Sequence, residues 1–481
     1  MKNLETELPS QNGLEYEGFP LVAPRADATA QSPRQMLIGL MAPLMMMVVN
    51  ASMFGVALPA LRDQFNIQAD TAAWLVTAYT LPFMIVMPLY GRLSDGLGKR
   101  RLFLSGIAIF LVGTAVALFA VNLWLVMAGR VIQGIGAAGV TPLSMAIISE
   151  RFAARERGRA LGTWNSTGPI GGIIGPILGG FLIDLWDWRA IFWPALLICI
   201  LSLWAAWKYV PSQLRSFARP GFLRTFDWGG VALLSLATTL LVFYLSSRPI
   251  TGIDALWDWR LLVAAGLFLG AFIVWEKRRF DPYVALEIFS NLDFTRASFA
   301  SSLRMFIMSS IGFLLPLYLT DIHTLNAVAV GTVMMLHAGA ILMTMRLGGV
   351  LADRWTSRRP VIIGSLAQLT IMIYMTLLPA TAPLALVIAG LMGHGLGAGL
   401  SLAALHRSAL NKIPPQQTGL AAGLYSMIRS AGIVLGGVLG GVILQYGLEQ
   451  FALPINAYRL VFWFVAGVAL LGVIIAWGLR E

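Results

Sequence analysis

The sequence is poor in charge and nearly devoid of cysteine. Only 12% of its 481 residues are charged, against 58% hydrophobic, and the mean hydropathy is +0.76. Soluble domains carry about 25% charged residues, so a water-soluble globular fold is excluded. The single cysteine, Cys199, lies in the apolar run IFWPALLICILSLWAAW. No intrachain disulfide and no cysteine metal site can form, and the plain reading is a small core residue. No G-x-x-x-x-G-K-[ST] stretch exists, which excludes a P-loop and with it ATP hydrolysis by that motif. No pairing of nucleophile with base and no metal-ligand spacing points to an enzyme, a metal or a cofactor. The net charge of +11 does not point to nucleic acid, because the bases form neither a face nor a tail. They alternate with long apolar stretches.

Those stretches are what the sequence has in abundance. A helix needs about 20 mainly apolar residues to cross the hydrocarbon of a lipid bilayer, where every backbone polar group must be paired within the segment. Fourteen stretches qualify, near 36 to 60, 72 to 91, 102 to 120, 123 to 148, 158 to 184, 188 to 210, 226 to 247, 258 to 277, 296 to 320, 325 to 351, 360 to 379, 383 to 411, 418 to 446 and 458 to 479. With both termini placed in the cytoplasm, five of the 34 Lys and Arg fall outside (Arg62, Arg189, Arg248, Arg260 and Arg459), three lie within spans, and the remaining 26 lie inside. This asymmetry obeys the positive-inside rule and sets the expected orientation. Residues 1 to 35 are polar and acidic, without a basic n-region followed by a cleavable apolar segment, and read as a disordered cytosolic tail.

The chain repeats itself. GRLSDGLGKRR, Gly91 to Arg101, follows the second span, and GVLADRWTSRR, Gly349 to Arg359, follows the tenth; Gly91, Leu93, Asp95, Arg100 and Arg101 match Gly349, Leu351, Asp353, Arg358 and Arg359 without gaps. The fifth span carries GIIGPILGG and the thirteenth GIVLGGVLGG. The plan is six, two, six: an N-terminal six-helix bundle over 36–210, cytosolic linkers with two extra transmembrane helices over 211–285, and a C-terminal six-helix bundle over 286–481. Parallel repeats of this kind place a substrate site between the halves near the bilayer midplane, and without a P-loop such transport is secondary or passive.

At these residues the sequence resembles the major facilitator superfamily, and within it the fourteen-span drug:proton antiporter branch of the EmrB/QacA type. The loop after the second span matches at Gly91, Leu93, Asp95, Gly98, Lys99, Arg100 and Arg101; RVIQGIGAAG in the fourth matches at Arg130, Gln133, Gly134 and Gly136; the fifth matches the exporter pattern at Gly171, Gly175, Pro176, Gly179 and Gly180; and WRAIFW opens the sixth. GIGAAG also fits a dinucleotide fingerprint, but no strand precedes it, so that match is spurious. The resemblance implies the major facilitator fold and proton-coupled export of small lipophilic compounds from a bacterial cytoplasm, across the inner membrane. It implies a cytosolic latch at the Asp95 loop and its repeat at Asp353 and Arg358, a coupling role for Arg130, and control of leak and direction by the span-five glycines. Each has a plainer alternative: a solvated turn, an interhelical hydrogen bond, and close helix packing. A periplasmic adaptor cannot be read from the sequence.

One departure matters. The branch reads L-D-x-T-I-V-N-V-A-L-P in span one, whereas Val49 to Pro59 reads VNASMFGVALP, so Asn50 stands where the acid belongs. An amide does not titrate. No Asp or Glu lies deep in any span; Asp184, Asp227 and Asp321 sit at span ends, and the intramembrane charges are Arg130, Arg304 and Arg429. Arginines beside Met45, Met46, Met47, Trp164 and Phe306 suit a neutral or anionic amphiphile better than a lipophilic dication, although such Met stripes are commonly core packing. Arg304 is the most distinctive of the three, since Arg429 fits a position where the family often has Arg. If a proton is carried, the candidates are His337 and His394, each otherwise a helix-contact histidine, with Asp95 and Asp353 as further titratable groups. The alternative function is a dedicated exporter or facilitator of one metabolite, such as a siderophore or organic acid.

Overall fold

The structure is a computed structural model, and it describes residues 32–152, 154–211, 222–279, 283–284, 286–410, 413 and 418–479. The expected N-terminal tail lies almost wholly outside the described residues, as does most of the linker after span six. Among the described residues fourteen helical segments are long and apolar enough to cross a membrane: Pro33–Phe65, Ala69–Ser94, Lys99–Leu118, Leu123–Arg151, Glu156–Leu185, Trp188–Tyr209, Trp228–Leu245, Trp259–Arg278, Leu292–Asp321, Ala327–Arg354, Arg358–Leu377, Leu384–Ala409, Ala421–Gln450 and Pro454–Trp477. They are spans one to fourteen below. Short polar side chains start several of them by accepting the first free N–H groups. Ser32 and Gln35 form a capping box, Asn122 accepts from Leu125, and Asn326 accepts from Ala329.

Two spans are broken where the sequence suggested single helices. Span four consists of Leu123–Ala137 and Val140–Arg151, and span five of Ala154–Asn165 and Thr167–Leu185. The break in span four falls at Gly139, where a side chain would run into the Tyr90 ring of span two.

The packing repeats with a shift of eight spans. One packs on five and six, two on four, and three on four and six; nine packs on thirteen and fourteen, ten on twelve, and eleven on twelve and fourteen. The halves meet where five crosses ten and where thirteen crosses two. Spans seven and eight pair with each other, and span seven touches two and thirteen at the edge of this body.

The buried core is shared at one end of the molecule and divided at the other. Toward the Arg62 and Asp321 ends, residues of both halves, including Phe54, Leu61, Leu75, Phe313, Val333 and Leu444, form one cluster. Toward the basic face, which carries the Gly91–Arg101 and Gly349–Arg359 turns, the core separates. One cluster belongs to spans one to six, with Met46, Phe103 and Trp164, and another to the C-terminal half and span eight, with Phe294, Leu405 and Tyr425. The halves are thus joined at the opposite face and along the seam of spans two, seven and thirteen, where Leu81, Met84, Val242, Val434 and Val438 cluster, while their main cores separate toward the basic face.

Candidate substrate and coupling site

Glycine spacing determines how the helices meet. Gly171, Gly175 and Gly179 of span five lie against Val48, Ser52 and Met53 of span one, while Gly180 faces the Ala327 carbonyl at the start of span ten and Gly331 faces the carbonyl of Pro176. Span thirteen repeats this: Gly432 and Gly436 lie against the Ser302 and Phe306 carbonyls of span nine, and Gly441 faces Ala73 of span two. A stripe at every fourth residue brings backbones together within each half, and the glycine just after each stripe, Gly180 or Gly441, lets the halves close. Nearer the basic face, side chains at Gly91, Gly162, Gly168, Gly339 and Gly423 would meet nothing within 4 Å.

Polar contacts seal the closed face. Arg62 makes a two-point ion pair with Asp321, at 2.7 and 2.8 Å, and the Tyr458 hydroxyl donates to the same carboxylate at 2.6 Å. Asp184 accepts from the Ala327 and Val328 N–H groups at 3.0 Å each, placing a carboxylate at the N-terminus of span ten. Gln445 Oε1 accepts from Ala69 N–H at 2.9 Å, at the start of span two. Arg248, before span eight, pairs with Glu449, and that bond raises the already high pKa of Arg248. Asp184 and Gln445 lie 261 residues apart, as do Gly180 and Gly441, so the two contacts are counterparts in the repeat.

Arg130 is buried among aromatic rings and neutral amides. Its guanidinium lies 4.1 Å from the Phe54 ring centroid and 4.4 Å from that of Tyr79. It donates to Gln133 Oε1 at 3.0 Å, to Asn50 Oδ1 at 3.3 Å and to the Leu75 carbonyl at 3.4 Å, and Gln133 donates onward to Thr114. Asn50 therefore stands beside the charge that an acid in span one would have neutralised. Met46 and Trp164 lie in the core of the N-terminal half, in one cluster with Tyr79, and the Trp164 indole donates to the Leu40 carbonyl.

The C-terminal half gathers a second basic group. Arg304 Nε and Nη2 both donate to the Ala398 carbonyl, at 3.0 and 2.8 Å, while Nη1 meets only the Met305 sulfur at 3.3 Å. One turn earlier, Ser301 accepts from the Tyr425 hydroxyl at 2.8 Å, and the His406 ring stands perpendicular to Tyr425 at 5.0 Å. Arg429 Nε and His406 Nε2 are buried without hydrogen-bond partners among the described residues. Among the described residues no carboxylate pairs with Arg130, Arg304 or Arg429. The sequence reading did not single out Ser301, His406 or Tyr425. The available signal was the spacing of Ser301 to Arg304 and Tyr425 to Arg429, three and four residues, which puts each pair on one helix face.

His337 and His394 are not isolated side chains. His337 Nε2 and His394 Nδ1 lie 3.0 Å apart, and Gln368 Nε2 lies 3.3 Å from His394 Nε2. The latch residues hold contacts inside their own halves: Lys99 with Glu150 at 2.8 Å, Arg100 with the Trp207 carbonyl at 2.6 Å, Asp353 with Arg407 at 3.0 Å, and Arg358 over the Trp477 ring at 5.4 Å. Gly98 turns the loop with a φ of +92°. The Asp95 side chain, and with it the latch contact expected there, lies outside the described residues.

The family profile described as Major Facilitator Superfamily matches the chain over residues 40–296 and 297–481. The riboflavin transporter RibZ of Clostridioides difficile is 27% identical over 89% of the chain and 94% of that protein. The multidrug resistance protein Stp of Mycobacterium tuberculosis is 29% identical over 83% of the chain and 74% of that protein. The crystal structure of a D-xylose-proton symporter superposes with a TM-score of 0.66 at 15% identity, covering 93% of this chain and 97% of that one.

Proposed function

As a member of the Major Facilitator Superfamily the chain is a multi-pass membrane transporter rather than an enzyme, and we propose that it is a secondary efflux pump of the fourteen-span EmrB/QacA type. In this reading the basic face is cytosolic, both termini lie in the cytoplasm of a bacterium, and the protein sits in the inner membrane. It exports small lipophilic compounds by alternating access, in exchange for protons. The observation that carries the reading is the core, single at the face sealed by Arg62 and Asp321 and split at the basic face. That geometry suits a resting state open to the cytoplasm, poised to load substrate.

The favoured substrate is a neutral or anionic amphiphile. Among the described residues Arg304 and Arg429 have no carboxylate partner, and in a surround of low dielectric an unpaired cation gains from an anion and repels a second cation. The test is transport in proteoliposomes under an imposed pH gradient, with anionic, neutral and lipophilic dicationic probes compared. Accumulation of the anionic and neutral probes alone supports the reading. Equal export of the dication overturns the assigned sign of the cavity, and no gradient-driven movement of any probe overturns the pump.

A second reading, a dedicated exporter or facilitator of one metabolite, is favoured by the similarity to a riboflavin transporter over nearly the whole chain. Competition among unrelated probes separates the two, since a dedicated carrier would respond to one chemical class.

A further inference from the structure

The two halves differ at one depth in a way the repeat makes visible. His337 lies 258 residues after Tyr79, the spacing of Gly349 after Gly91. Gly134 approaches the Tyr79 carbonyl as Gly395 approaches the His337 carbonyl, 261 residues later, and His394 follows Gln133 by the same 261. The N-terminal half thus surrounds a permanent cation, Arg130, with Tyr79 and Gln133. In the C-terminal half those two places hold His337 and His394, and the position corresponding to Arg130 holds Leu391. One half carries a fixed charge where the other carries groups whose charge can change.

We propose that His337 and His394 form a single proton-binding dyad whose state is reported by Gln368, and that this dyad binds the coupling proton. The assignment of a coupling role rests on the transporter reading above; the binding of a proton does not. All three residues sit about ten residues, roughly 15 Å along their helices, from the closed-face ends of spans ten, eleven and twelve. With the Gln368 amide N–H donating to His394 Nε2, the His394 proton is on Nδ1 and is donated to His337 Nε2, which leaves the His337 proton on Nδ1. The neutral dyad therefore carries two ring protons.

Adding one proton reverses the chain. The proton enters at His394 Nε2, the Gln368 amide turns so that its oxygen accepts, and the Nδ1 proton of His394 passes to His337 Nε2. His337 becomes an imidazolium donating to a neutral His394, three ring protons in all, in a bond that charge assistance strengthens. A second added proton would set two N–H groups against each other and place a second charge in the same site. One proton per pair is the expected capacity.

Few charged groups face the dyad from the helices packed around it. Span five is uncharged between Arg159 and Asp184, span one between Arg34 and Arg62, and span eleven after Arg359. Arg304 of span nine is the cation whose field reaches His394, and as a like charge it opposes an added proton there; Arg429 of span thirteen interacts in turn with Arg304. His406 and Arg407 are the other ionisable residues of span twelve, three turns further toward the basic face. Ala338, next to His337, faces Gly172 of span five. A change of charge at the dyad is thus made beside the contact that joins the halves.

The chain has four histidines, so imidazole nitrogen NMR of the full-length protein in nanodiscs resolves each by single replacement. Between pH 4 and 9, His337 and His394 should change together in one step that takes up one proton, and Gln368→Met should move its midpoint by at least half a pH unit. Independent titration of the two rings, uptake of two protons, or no uptake in that range overturns the dyad. In proteoliposomes, with carboxyfluorescein and riboflavin as anionic and neutral probes, His394→Gln and His337→Asn should each lower the ratio of gradient-driven to downhill uptake tenfold or more. An unchanged ratio in both overturns the coupling role. If neither probe moves through the unaltered protein, the transporter reading fails for these classes and the NMR result alone decides whether the dyad binds a proton.

Discussion

Arg62 and Asp321 close the molecule with a pair of parallel hydrogen bonds across the junction of its halves, at 2.7 and 2.8 Å. The bond is made at the ends of spans one and nine, counterparts in the repeat, and Tyr458 braces the carboxylate from span fourteen. The side chains of the pair are 18% and 19% exposed, so water screens it only partly. Charge-assisted contacts of this geometry contribute about 1 to 2 kcal/mol.

Removing that contact should favour the state open at the sealed face. Arg62→Ala in a Cys199→Ala background, with a reporter cysteine at Ala73, should raise labelling by a membrane-impermeant thiol reagent roughly 5- to 30-fold, the factor that 1 to 2 kcal/mol represents. Exchanging the charges, Arg62→Asp with Asp321→Arg, should return labelling most of the way. Labelling that stays at the unaltered level in Arg62→Ala would show that the pair does not hold the face shut.

Closure also needs room at the crossings. Gly180→Val and Gly441→Val each put a branched side chain against backbone or Cβ atoms of the other half. Overpacking of this kind costs about 1 to 3 kcal/mol, here charged to the closed state alone. Transport should fall at least tenfold with protein levels maintained, and the Ala73 cysteine should become reactive. Gly162→Ala, where a side chain meets nothing within 4 Å, should transport normally.

Asn50→Asp places a carboxylate within hydrogen-bond reach of Arg130, whose Nη1 is 3.3 Å from Asn50 Oδ1. A bond from a cation to a neutral amide becomes an ion pair, a gain of about 1 kcal/mol or more. The thermal midpoint at pH 7 should rise, and the pH dependence of transport should change or cationic probes should become tolerated. An unaltered midpoint and pH profile would show that position 50 has no part in charge balance.

Arg304→Lys keeps the charge but not the fork that grips the Ala398 carbonyl through Nε and Nη2. It should impair an oxyanion-bearing substrate more than a neutral one. Arg304→Ala should impair only the anion if the residue binds substrate, and both classes if it serves the fold. Anion transport indifferent to either change would remove Arg304 from the site.

Orientation is open to a direct check. A reporter that is active only in the cytoplasm should work when fused after Arg219 or Glu481 and fail after Asn456. Activity at Asn456 would reverse the assignment of the basic face.

The fourteen spans and the eight-span repeat of the loop and glycine motifs were legible because hydropathy and short motifs are properties of short stretches of chain. Asn50 announced itself as a missing charge for the same reason. Which face each helix turns to its neighbours is decided by all of them at once, through glycines that let backbones approach and side chains that must find partners in a medium without water. His337 and His394 are 57 residues apart and looked like two isolated histidines in sequence; packing of span ten on span twelve brings them to 3.0 Å. Ser301 and Tyr425 met in the same way, through span nine on span thirteen, and Arg62 met Asp321 only when the halves closed. Sequence set which segments enter the membrane and which charges they carry; the rotation and depth of each helix against the others decided which of those charges were paired, shared or left open.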